Sequence, residues 1–269
     1  MTEPTDDAGA RLIRLETEVP GTPEQVWRTI ATTQGLATWY MPSTVEEREG
    51  GAFASDMGPW GKSSGTVTGY DPPHRFAFEE TGWHPDPAAP AWATELLVEA
   101  RDGGTCVVRL VSGFREGGEA WEDMMGGASE GFAQALQNLR LYLTHFAGMP
   151  GFQLTAAAVA RGEVEDVRAR LLGNVGLAGA TRGATVTVRG HTDLVGVVEE
   201  MEPSGILVRV QQPVQGLWHL RTWPGAPGDV VMAIRAILYG EDAAEVAPRD
   251  ERAWEAWLYE IFPDAVAPE

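Results

Sequence analysis

Apolar and polar positions alternate over Leu12–Pro20. Ile13, Leu15, Thr17 and Val19 take one phase and Leu12, Arg14, Glu16 and Glu18 the other, a period of two that predicts a strand. Thr22 is a good N-cap, Pro23 suits a first helical position, and Gln25 completes a capping box, so a helix is predicted to begin here with Val26, Trp27 and Ile30 on its apolar face. A second short helix is predicted over Thr33–Trp39. From Ser43 to Phe114 the pattern is a series of short strands, punctuated at Gly50-Gly51, Gly58-Pro59, Pro72-Pro73, Pro85–Pro90 and Gly103-Gly104. Phe76, Phe78 and Glu80 share a phase, as do Trp92, Thr94, Leu96 and Val98, and again Cys106, Val108, Leu110, Ser112 and Phe114. Asp102-Gly103-Gly104 predicts a tight hairpin. After Gly117-Gly118 the period becomes 3.6: Trp121, Met125, Phe132, Leu136, Leu139, Leu143 and Phe146 predict one long amphipathic helix ending at Gly148.

The second half repeats this order. Glu24-Gln25-Val26 matches Glu165-Asp166-Val167, and Gly35-Leu36 matches Gly176-Leu177, both at an offset of 141. Gly65, Val67, Pro72 and Phe76 match Gly196, Val198, Pro203 and Leu207 at an offset of 131. A closing helix recurs over Asp250–Phe262, with Trp254, Trp257, Leu258, Ile261 and Phe262 on one face. Ordered matches at nearly constant offsets predict an internal repeat. The expected boundary is Gly148–Gly151, giving domains over 11–148 and 152–265. The second copy is shorter and lacks the aromatic-rich loop that Trp60 and Trp83–Trp92 supply in the first.

The chain has 269 residues, 43% hydrophobic and 22% charged, enough for a packed core. Its net charge is -19, with acids outnumbering bases in both halves. Nucleic acid and anionic membranes need a cationic face, so neither is an expected partner. No apolar run reaches the length of a membrane helix, and Met1–Ala10 is acidic and polar, unlike a signal peptide, so a cytoplasmic location is expected. Of the 20 basic residues only Lys62 is lysine, as in a protein of a GC-rich bacterial genome. A single cysteine, Cys106, allows no internal disulfide and no Cys-cluster metal site.

The segment Thr22–Tyr40, the strand–turn–strand Gly65–Phe78 with its Asp71-Pro72-Pro73-His74-Arg75-Phe76 turn, and the aromatic start of the long helix together resemble the AHSA1-like branch of the SRPBCC (START/Bet v 1-like) superfamily. The resemblance covers about residues 11–147, and the second half resembles a divergent copy. It implies an α+β helix-grip fold in two tandem copies, in which an antiparallel sheet wraps a long C-terminal helix around a cavity for an apolar ligand. Members of the superfamily include lipid and hormone carriers, aromatic polyketide cyclases and a domain of an Hsp90 co-chaperone. Related tandem proteins occur in actinobacterial natural-product loci, including those for enediynes. Such a fold hosts many functions, so the activity must be read from the site.

Several residues could give such a cavity its character. Trp39, Trp60, Phe76, Phe78, Trp83, Trp92, Phe114, Trp121, Met124, Met125 and Phe132 are the candidate ligand-binding residues. Trp60, Trp83 and Trp92 lie in or beside Gly/Pro-rich loops, where a large ring needs cover, while Met adapts to irregular apolar shapes. Core packing is the competing reading for each ring, and Trp27 is expected in the core. If Phe76 and Phe78 face inward, Glu80 does too, and a carboxyl in an apolar pocket could serve as a general acid or base. The favoured alternative is that the strand has left the core by Glu80. Ser112 is the second candidate catalytic residue, and Thr94 shares its inward phase. Arg109 and Glu95 fall on outward phases and are expected to pair with each other.

No histidine has a metal-ligand partner at helical or strand spacing, so no metal is expected, and no cofactor fingerprint is present. His74 is expected to be exposed, and His219 is the histidine expected to point into a second cavity. The expected partner is a small hydrophobic molecule, of polyketide or polyene type. A cyclase or hydrolase acting in the same pocket is one alternative, and a chaperone-type interaction module another.

Overall fold

The computed structural model describes residues 10–84, 86, 88–116 and 121–268, with no side-chain description for Glu122 and Asp123. Nearly all of Met1–Ala10, the Gly117-Gly118 break, and Pro85 and Pro87 of the proline-rich run lie outside the described residues.

Local chemistry sets the first elements. β1 spans Arg11–Pro20 and α1 Pro23–Ile30. Thr22 Oγ1 accepts from the Gln25 amide at 3.3 Å, and Gln25 Oε1 accepts from the Thr22 amide at 2.9 Å, the reciprocal pair of a capping box. Val26, Trp27 and Ile30 are buried. α2 covers only Thr33–Leu36, shorter than the predicted Thr33–Trp39. Thr38 Oγ1 donates to the Gly35 carbonyl at 2.6 Å and Trp39 Nε1 donates to the Thr29 carbonyl at 3.0 Å. Thr38 and Trp39 are both buried where these bonds hold them.

Six further strands follow: β2 Ser43–Val45, β3 Ala52–Asp56, β4 Lys62–Asp71, β5 Arg75–Glu80, β6 Trp92–Arg101 and β7 Thr105–Phe114. All pair antiparallel in the order β1-β7-β6-β5-β4-β3-β2. The β6–β7 hairpin turns on Asp102, Gly103 and Gly104, and both glycines take positive φ. With no Cβ, glycine takes positive φ without the steric strain that other residues would meet there. α3, Glu122–His145, packs against β1.

The outward face pairs differently from the expectation. Arg109 bonds Glu16 and Glu99, and Glu95 bonds Arg75 at 2.5 Å. The register explains this: Glu16 lies directly opposite Arg109 on β1, while Glu95 lies opposite Ala77, one diagonal step from Arg75.

The chain divides into two units. The first runs to Met57 and from Gly61 to Gly148; the second holds the chain from Met149 together with the 3-10 turn Gly58–Trp60. The second unit repeats the element order. β8 Gly151–Arg161 leads into α4 Val164–Asn174, then β9 Thr185–Val188, β10 Leu194–Glu202, β11 Gly205–Gln212, β12 Gly216–Pro224, β13 Asp229–Tyr239 and α5 Ala243–Ile261. Its sheet runs β8-β13-β12-β11-β10-β9, so in both units the first strand sits beside the last. The repeated residues occupy equivalent places: Glu24-Gln25-Val26 and Glu165-Asp166-Val167 open α1 and α4, while Phe76 and Leu207 lie on β5 and β11. Each unit is a helix-grip fold, and the architecture is α+β in two tandem copies.

α5 begins at Ala243 rather than Asp250 and runs through Pro248. Pro248 is the sixth residue of the helix and has no amide to give the Ala244 carbonyl, so one bond of the second turn is missing. The core of the second unit joins Ala156, Ala158, Met232 and Ile234 of the sheet to Trp254 and Leu258 of α5.

Candidate functional site

The inner face of the first sheet is laid out in rows by the register. Phe76, Leu96 and Leu110 form an apolar row across β5, β6 and β7. The next row is Phe78, Thr94 and Ser112, and the last is Glu80, Trp92 and Phe114. Polarity therefore rises toward the strand end that carries the loop with Trp83.

Glu80 stays inside. It is 8% exposed, so the expectation that the strand leaves the core there is corrected. The cause is non-local: β3 and β4 continue past it and bring two serines over the carboxylate. Ser55 Oγ donates to Glu80 Oε1 at 2.8 Å. Ser63, opposite Ser55 in the register, is also buried. Its hydroxyl lies near enough to steady the ionised carboxylate, yet Ser63 Oγ makes no hydrogen bond of ordinary geometry. Burial pushes the Glu80 carboxyl above the usual carboxylate value, and the two serines offset part of that rise. The Tyr40 hydroxyl is held well above its ordinary value by its own burial and by the nearby Glu80 charge.

Ser112 is fully buried and works as a hub. Trp92 Nε1 donates to Ser112 Oγ at 2.8 Å, Thr94 Oγ1 shares a 2.7 Å hydrogen bond with it, and Ser112 Oγ also lies 3.3 Å from the Ala93 carbonyl. Its hydroxyl is thus occupied in holding the Trp92 indole. Replacing Ser112 by alanine is expected to cost about 1–3 kcal/mol, because a buried indole N–H and a threonine hydroxyl lose their partner. Chemical denaturation measures it; a loss below about 0.5 kcal/mol would show that the indole finds another acceptor.

A continuous run of rings borders these polar groups. Phe132 of α3 is stacked on Tyr40 at 6.3 Å on one side and on Trp92 at 6.3 Å on the other. Trp92 meets Phe114 edge-on at 4.8 Å, and Trp83 lies 5.6 Å from Phe114 and 5.1 Å from Trp121. Trp83 Nε1 donates to the Pro90 carbonyl at 2.9 Å, which anchors the loop, and His84 stands 4.7 Å from Trp121.

The sequence candidates therefore divide. Trp83, Trp92, Phe114, Trp121 and Phe132 come together around Glu80 and Ser112. Phe78 stacks on Phe53 at 3.9 Å and belongs to the floor of the same face. Phe76 packs against Trp27 and Tyr70, deeper in the core, and Trp39 is buried with its N–H tied to Thr29. Met125 lies against Gly113 of β7. Met124 is 40% exposed and stands outside the ring set. Trp60 belongs to the second unit, where its ring lies 5.7 Å from Trp223, so it is no part of this group.

Tyr40, Ser55, Ser63 and His84 were not among the sequence candidates. Ser55 and Ser63 carry an inward phase that could have been read from the alternation in β3 and β4; Tyr40 follows a helix end and has no such signal. His74 is exposed as expected. His219 does not point into the core of its unit. It alternates with Trp218 and Leu220 of that core and so stands on the opposite face of the sheet, buried between Leu207 and Arg235 in the register.

Among the described residues no helix is long and apolar enough to cross a membrane. No curated protein matches the chain in sequence. Among solved structures, protein MLL2253 from Mesorhizobium loti is 22% identical with a TM-score of 0.45, over 51% of this chain and 98% of that one. DynU16, a protein of the dynemicin biosynthetic locus, is 16% identical with a TM-score of 0.43, over 84% of this chain and 86% of its own. BexL, the di-domain ARO/CYC of the BE-7585A biosynthetic pathway, is 14% identical with a TM-score of 0.43, over 94% and 98%. The family model for activator of Hsp90 ATPase homolog 1-like proteins matches residues 20–144. That span runs from the end of β1 almost to the end of α3, so the first unit of this chain is what is similar to the AHSA1-like proteins.

Proposed function

We propose that the first unit binds one small, largely apolar, ring-bearing molecule of polyketide or polyene type against the inner face of its sheet, beneath α3. The observation that carries this reading is the buried Glu80 carboxyl, held by Ser55 and beside the buried Ser63, at the edge of the Trp83–Trp92–Phe114–Trp121–Phe132 ring set. Rings supply affinity through buried apolar area, at about 25 cal/mol per Å² before the costs of association. A buried hydroxyl and carboxyl supply direction, since each gains by meeting a polar group of the ligand.

A second reading has one specific support. Burial raises the Glu80 carboxyl, which brings its proton affinity closer to neutrality, as acid–base work requires. Glu80 would then deliver or take a proton while the rings hold a reactive chain in one conformer, a cyclase-type role in the same place.

Emodin, a three-ring polyketide, tests the first reading by tryptophan quenching and native mass spectrometry of the full chain. Saturable binding is expected, weakened about tenfold in Trp92→Ala, which removes a ring contact worth about 1.4 kcal/mol. Absence of saturable binding, or an unchanged affinity in Trp92→Ala, would overturn it. For the second reading, a molecule co-purifying with the protein should leave chemically altered, and Glu80→Gln should stop the alteration while sparing affinity.

A further inference from the structure

α3 is built in two parts of unequal strength. Of its described side chains none before Phe132 is buried, whereas Phe132, Ala135, Leu136, Leu139 and Leu143 all are. Gly126, Gly127 and Gly131 lie in the first part, and no glycine follows Gly131 in the helix. A glycine inside a helix disfavours it about fivefold against alanine, because its backbone has the most freedom to lose. Over three positions the factor is about a hundredfold. No side-chain hydrogen bond caps the start at Trp121 either.

Nothing in the packing asks for these three glycines. None takes positive φ, and a Cβ at any of them would meet nothing within 4 Å. Alanine would fit at each and firm the helix. The weakness is therefore not the by-product of a close contact.

The weak part lies along the candidate site. Trp121, just before it, stands 5.1 Å from Trp83 and 6.4 Å from Phe114. Met125 lies against Gly113 of β7. Phe132, the first residue of the firm part, stacks on Trp92 and Tyr40. Met124–Gly131 thus spans the distance between two members of the ring set. Unwinding it would part Met125 from β7 while Phe132 kept its place. Segments with few buried contacts are those that open locally at least cost.

We propose that Met124–Gly131 is the gate of the first unit's site. It unwinds and rewinds while the rest of α3 stays docked, and each opening exposes the inner face of β6 and β7 to an entering molecule. The three glycines set how often it opens. The gate rests on the binding role proposed for that site, but its opening is measured without a ligand.

Hydrogen exchange of the free full chain is the first measurement. Amides 126–131 are expected to exchange about tenfold or more faster than amides 132–145. The triple variant Gly126→Ala/Gly127→Ala/Gly131→Ala is expected to slow the first group about a hundredfold and leave the second unchanged. Access is the second measurement. Thr94→Cys, combined with Cys106→Ala, places a single thiol on the buried inner face. Its modification by dithionitrobenzoate is expected to slow by a similar factor when the three alanines are added. Equal exchange in the two groups of the wild type, or a modification rate that the alanines leave unchanged, would overturn the gate. Should Thr94→Cys fail to fold, hydrogen exchange decides alone. Emodin association and dissociation are expected to slow together in the triple variant, with affinity kept within about twofold. Emodin that never binds, beside the expected exchange and modification, would support the gate and count against the binding role alone.

Discussion

Trp39→Ala will lower the stability of the first unit by about 3–5 kcal/mol, the cost of emptying a buried tryptophan site. Trp39 is 1% exposed. Its indole N–H donates to the Thr29 carbonyl, and its own carbonyl accepts from Asn138 Nδ2 of α3 at 3.3 Å. The residue thus ties the end of α1 to the long helix, and truncation leaves both a void and an unmatched carbonyl. Trp39→Phe, which retains most of the volume, is expected to lose only about 1–2 kcal/mol, chiefly the hydrogen bond. Hydrogen exchange resolved over β1–β7, with denaturant unfolding, distinguishes the two. Equal losses in both variants would assign the effect to the hydrogen bond and not to packing.

The second large effect is acid lability from His219. Burial, aided by Arg221 and Arg235, lowers this imidazole from 6.5 to about 3 in the folded chain. The unfolded chain takes up the proton near pH 6.5, so the folded state is favoured above that value. The advantage is then lost as pH falls toward 3. Each pH unit in that window removes about 1.4 kcal/mol, so roughly 3 kcal/mol is gone by pH 4 from this one residue. His219→Leu, which cannot titrate, should flatten the stability curve between pH 6.5 and 4. An acid limb as steep in His219→Leu as in the wild type would place the titrating group elsewhere.

What the sequence reveals about the fold depends on how local its causes are. The Thr22–Gln25 box lies within four residues, and the sequence states it completely. The alternation through β5, β6 and β7 shows which residues share a face, and α3 declares itself by its period. Glu80 shows the limit. Its phase was readable, but whether the strand was still covered at that point depends on Ser55 and Ser63, which arrive from two other strands. Trp60 shows another limit, since a loop sequence does not say which unit will cover its ring. Arg109 and Glu95 had the right face and the wrong partners, because phase fixes a face while register fixes a neighbour.

The pairing of β1 with β7 and of β8 with β13 bears on how the chain is made. Each opening strand lies at an edge of its sheet and has a single partner strand, the last to be synthesised in its unit. During translation β1 must therefore wait through some ninety residues of chain with its backbone donors and acceptors unmatched. Such long-range closure makes sheet completion slow, and a waiting edge is open to wrong partners. β8 begins to wait only after β1 has been closed, because β7 emerges first. The order of synthesis thus keeps two alike edge strands from being free at the same moment within one nascent chain, a safeguard against exchange between the two repeats that a circularly permuted gene would remove.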